Sequence, residues 1–60
     1  MQEQDRINLI CALKNLSESI VMMHYTEIYL SNVGDSFSDK LHNIIDELKS
    51  KENQIRKDLE

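Results

Sequence analysis

The sequence predicts an all-α fold: an antiparallel hairpin of two long helices that dimerises into a four-helix bundle. Three observations point to it. Apolar residues recur at Leu9, Leu13, Leu16, Ile20, Met23 and Leu30 in steps that add threes and fours, the spacing that holds side chains on one face of a helix. Proline is absent and Gly34 is the only glycine, so the chain has one place to break. Finally, a chain of 60 residues buries only about 60% of its unfolded surface when it folds alone. Cys11 is the only cysteine and no set of four Cys and His ligands is present, so neither a disulfide nor a structural zinc makes up the shortfall. Oligomerisation is the remaining route.

The chain reads as one domain over 1–60, with helix 1 at about 3–31. Glu27 is the only polar member of its seam, and beside the seam the small residues Ala12, Ser19 and Thr26 recur every seventh position, where another helix can approach closely. The helix is expected to stop near Ser31 or Asn32, since Asn32 and Gly34 tolerate the left-handed conformation that closes a helix. A loop at about 32–36 is short enough to make the helices antiparallel neighbours. Ser36 is expected to cap the next helix, with Asp39 reaching back or favouring its positive end.

Helix 2, at about 37–57, places Phe37, Leu41, Ile44, Ile45, Leu48, Ile55 and Leu59 on one side, with Glu52 interrupting the stripe. The closing stretch SKENQIRKDLE is mostly charged, and fraying is expected after about Lys57. Two hairpins packed together would bury both seams in one core. Its predicted members are Leu9, Leu13, Leu16, Ile20, Met23 and Leu30 from helix 1 and Leu41, Ile45, Leu48 and Ile55 from helix 2.

That core leaves apolar residues over. Ile10, Val21 and Ile28 share an outer line of helix 1 that passes near His24 and Tyr25, with Met22 and Tyr29 on the adjoining flank. A plain bundle has no use for them there. Either the self-interface is wider than one seam or a different protein sits on this flank. Between Lys14 and Lys40 there is no lysine or arginine, while Glu18, Glu27, Asp35 and Asp39 fall in the interval, so the hairpin tip is acidic as well as apolar. A protein partner with a basic or apolar groove fits such a surface, and its predicted contacts are Val21, Met22, Tyr25, Ile28, Tyr29 and Asp35.

Several function classes find no support. The formal net charge of −4 argues against a nucleic-acid binder. No apolar run approaches the ~20 residues that span a bilayer, and MQEQDRINLICAL lacks the basic start of a secretion signal, so a cytoplasmic protein is expected. The single unpaired cysteine agrees with a reducing compartment. Abundant Ile, Asn, Lys and Ser fit an AT-rich bacterial or phage source. No glycine-rich phosphate loop and no Ser/His/Asp set is present, so neither catalysis nor a cofactor is expected. His24 with Glu27, and His42 with Asp46, are too few ligands for a metal unless the hairpin aligns them. The Tyr-Thr-Glu-Ile after His24 does not match the phosphoacceptor pattern of histidine-kinase helices. Cys11 reads as a small interior hydrophobe rather than a nucleophile.

The segment Leu41-His42-Asn43-Ile44-Ile45-Asp46-Glu47-Leu48 resembles the second helix of the Rop family of plasmid copy-number regulators. The resemblance implies a dimer of antiparallel hairpins whose first helix presents basic, amide and aromatic residues to paired RNA loops. Those places fall here on Glu3, Ile10, Lys14, Glu18 and Tyr25, of which Lys14 and Tyr25 suit RNA, while the acids Glu3 and Glu18 oppose phosphate. The expected function is therefore that of a small non-enzymatic protein-binding regulator such as an anti-repressor, inhibitor, antitoxin or chaperone-like adaptor. The alternatives are Rop-like RNA binding and a purely structural oligomerisation unit.

Overall fold

A computed structural model describes residues 1–60 as two helices and no strand: α1 over Glu3–Asn32 and α2 over Phe37–Leu59. The helices fold back on each other as an antiparallel hairpin measuring 46 × 14 × 12 Å. Its length is that of α1, since thirty residues rise about 45 Å at 1.5 Å each.

The break is where the glycine placed it. α1 closes through its own backbone: the N–H of Asp35 donates to the carbonyl of Leu30 at 2.9 Å, and that of Gly34 to Ser31 at 3.0 Å. This pair of bonds needs one left-handed residue, and Gly34 supplies it with φ of 74°. Asn32 stays helical. The start of α2 departs from expectation, because the Ser36 side chain makes no capping bond and its backbone is already helical. Asp35 caps instead, its Oδ1 accepting the Phe37 N–H at 2.9 Å. Gly34 turns the chain so tightly that Asp35, one position earlier than Ser36, faces the open end of α2.

The far end of α2 also differs, remaining helical to Leu59 rather than fraying after Lys57. The Arg6 guanidinium donates to the Leu59 carbonyl at 3.2 Å, so the first turns of α1 hold the last turn of α2. Arg56 and Lys57 in that turn, and Asp39 in the first, suit the helix dipole.

Between the helices lie the four buried residues of the chain, Ile20 from α1 and Leu41, Ile45 and Ile55 from α2. The accessible surface is 4623 Å². A compact monomer of 7.1 kDa exposes roughly 4,100 Å² by the usual mass scaling. The excess reflects a molecule only one helix thick on either side of its core.

Candidate interaction surface

The predicted bundle seam divides in two. Ile20, Leu41, Ile45 and Ile55 are covered within a single hairpin, whereas Leu9, Leu13, Leu16, Met23, Leu30 and Leu48 are only half-buried. Ile44 and Leu59 are half-buried as well, and Phe37, placed on the apolar side by its spacing, stands open with Lys40 Nζ 5.9 Å from its ring centroid. A line of leucines half in water runs along α1 because α2 offers one helix's width of cover and no more.

The opposite side of α1 is more open. Val21, Met22, Tyr25, Ile28 and Tyr29 are each more than half exposed, from 52% at Ile28 to 69% at Met22. Ile7 and Ile10 continue this outer surface toward the start of α1, and Val33 extends it past the helix end at 77% exposure. The two helices thus differ in kind: α2 gathers its apolar residues on one side, while α1 carries them nearly all round. Cys11, expected inside, lies on this exposed side of α1. Its position is four residues from Ile7 and ten from Val21, on the face turned away from α2.

Asp35 also lies at the tip and is exposed, but one of its carboxylate oxygens is engaged as the α2 cap. Its role at the turn is structural in the first place.

The two acids that interrupt the apolar seams each find a partner across the hairpin. Ser17 Oγ donates to Glu52 Oε2 at 2.7 Å, and Arg56 donates to Glu52 Oε1 at 2.8 Å. The Ser17 hydroxyl first, and Arg56 second, hold the Glu52 carboxyl below the usual carboxylate range. Nearer the tip, His42 Nδ1 of α2 donates to Glu27 Oε1 of α1 at 3.1 Å, while His24 Nδ1 lies 3.8 Å from Glu27 Oε2 and His42 Nε2 3.8 Å from Asp46. The hairpin does align both histidines with one carboxylate. They border a shallow cleft with Ile28, Ser31 and Asn32, yet no three His, Cys, Asp or Glu side chains converge as metal ligands. These cross-hairpin pairs were not read from the sequence. Their signal was present in the isolation of Glu27 and Glu52 within otherwise apolar lines.

No helix is long and apolar enough to cross a membrane. Comparison with known proteins brings no family model, no curated relative and no solved structure that matches the chain.

Proposed function

We propose that this chain is a small non-enzymatic protein-binding regulator that works by association, in the manner of an anti-repressor, inhibitor, antitoxin or chaperone-like adaptor. A second copy closes over the half-buried face of Leu9, Leu16, Met23 and Leu48 to complete a four-helix bundle. The outer stripe of Val21, Met22, Tyr25, Ile28 and Tyr29, next to the acidic tip at Asp35, meets a different protein that offers a basic or apolar groove. The observation that carries this reading is the stripe itself. Five large apolar side chains within nine residues of a regular helix are left more than half exposed, a feature that marks interaction sites rather than inert surface.

The experiment compares the two sides of α1. Met23→Asp should destroy the fold, because the bundle would bury an unpaired carboxylate. Ile28→Glu should keep helicity by circular dichroism and mass by light scattering, yet lose the protein target captured by the parent from lysate of the source cells. An Ile28→Glu variant that folds, keeps its mass and still captures the target refutes the stripe. RNA in place of protein in the captured material would favour the Rop-like alternative.

A further inference from the structure

One line of the exposed side of α1 has a regular repeat that the bundle does not use. Ile7, Cys11, Lys14, Glu18, Val21 and Tyr25 follow one another in alternating steps of four and three, the spacing of a coiled-coil seam. All six are exposed, and this seam lies on the opposite side of α1 from the one that faces α2. At its middle stand two ions, Lys14 and Glu18, neither of which has an ion-pair partner within the hairpin.

We propose that a second copy of this chain docks on this seam with its α1 running antiparallel, about a two-fold axis that passes between Lys14 and Glu18. The charges choose the occupant and its direction. Antiparallel, Lys14 faces Glu18 of the second copy and Glu18 faces its Lys14, so both ions are paired by one symmetric contact. Parallel and in register, Lys14 would meet Lys14 and Glu18 would meet Glu18, and both layers would repel. The same axis sets Cys11 opposite Val21 and Ile7 opposite Tyr25, on each side of the charged centre. Every apolar member of the seam up to Tyr25 then meets an apolar member. Ile28 and Tyr29 fall opposite Gln4 and Glu3, at the polar start of α1, and stay free at the hairpin tip.

This contact rests on the reading of the α1 stripe as an association surface and divides it: the lower part is taken by a second copy, and the tip is left to the target. It is additional to the bundle face, so the two contacts fail separately.

The register is tested by cross-linking the full chain. Position 21 and Cys11 lie ten residues apart on one helix, about 15 Å, beyond the ~7 Å between Cα atoms that a disulfide spans. A bond between them must therefore join two chains. On mild oxidation Val21→Cys should give a covalent two-chain species whose digest contains the 11–21 link, while the parent and Val21→Cys/Cys11→Ser should give little. Predominance of 11–11 or 21–21 links, or no linked species, overturns the proposal. As a second measurement, Lys14→Glu should weaken the assembly about tenfold and lower its mass in light scattering, by setting like charges against each other. The exchange Lys14→Glu/Glu18→Lys should restore it. An unchanged mass for Lys14→Glu also overturns the contact, and leaves the bundle and the target-binding tip standing on their own tests.

Discussion

Ile45 and Leu48 are neighbours on the same side of α2, and comparing their truncation reports how many hairpins make the core. Ile45 is 1% exposed within one hairpin, so Ile45→Ala should cost about 2–5 kcal/mol whatever the oligomer, from lost burial and the cavity left behind. Leu48 is only half-buried by α1. If the hairpin stood alone, Leu48→Ala would forfeit roughly half of a leucine's transfer energy, about 1 kcal/mol, with water filling the gap. Closed in a bundle, Leu48 becomes a core residue and its loss should cost about 2–5 kcal/mol like that of Ile45. Against a total of about 3–9 kcal/mol for a chain of this length, the difference decides whether the variant folds. Urea unfolding followed by circular dichroism at two protein concentrations measures both costs, and the parent's midpoint should rise with concentration. A Leu48→Ala variant within about 1 kcal/mol of the parent, together with a concentration-independent midpoint, would refute the four-helix bundle.

Two further predictions concern single chains. Asp35→Ala should cost about 0.5–2 kcal/mol by leaving the Phe37 N–H without its acceptor, whereas Ser36→Ala should change the melting temperature little because its hydroxyl caps nothing; equal losses would put the cap back on Ser36. The lowered titration of Glu52 means that its ionised form is favoured by folding, so this stability is complete above the unfolded value of about 4.3 and disappears as pH falls through the lower folded value. Glu52→Gln should flatten the acid limb of stability against pH, and an unaltered acid limb would show that the Ser17 and Arg56 contacts carry no linkage.

The helices and their break were legible because they follow from local rules. Threefold and fourfold spacing, one glycine and no proline leave few alternatives, and Gly34 does adopt the left-handed conformation assigned to it. The end of α2 was not legible, since its order depends on Arg6, more than fifty residues away in sequence. The cap was misplaced by one residue for a similar reason: Ser36 and Asp35 are both good caps, and only the tightness of the Gly34 turn selects between them. Cys11 reads as interior from the usual burial of a free cysteine, whereas its spacing from the Leu13, Leu16 and Ile20 seam puts it on the opposite, exposed side of α1. Val21, Met22, Tyr25, Ile28 and Tyr29 are exposed in the hairpin because the deeper seam of Leu13, Leu16, Ile20 and Met23 takes the side toward α2.

Glu27 and Glu52 explain why two helices with so little buried surface settle on one alignment. Apolar seams tolerate a slip of one turn, since a leucine moved by three or four residues meets another apolar side chain. The polar pairs do not. Ser17 and Glu27 stand ten residues apart on α1 and bond to Glu52 and His42, which stand ten apart on α2. Both pairs therefore specify the same antiparallel register, and a slip of one turn would break them together and set the Glu52 carboxylate level with Leu13 or Ile20. Each contact is worth little in net stability because the groups are well hydrated when apart. Their effect is on the competing alignments, which they make costly. A fixed register in turn fixes where the hairpin ends, so that Ile28, Tyr29 and Val33 project at the tip beside the Gly34 turn. The acids that weaken the apolar seams thus hold in place the surface through which the chain is proposed to act.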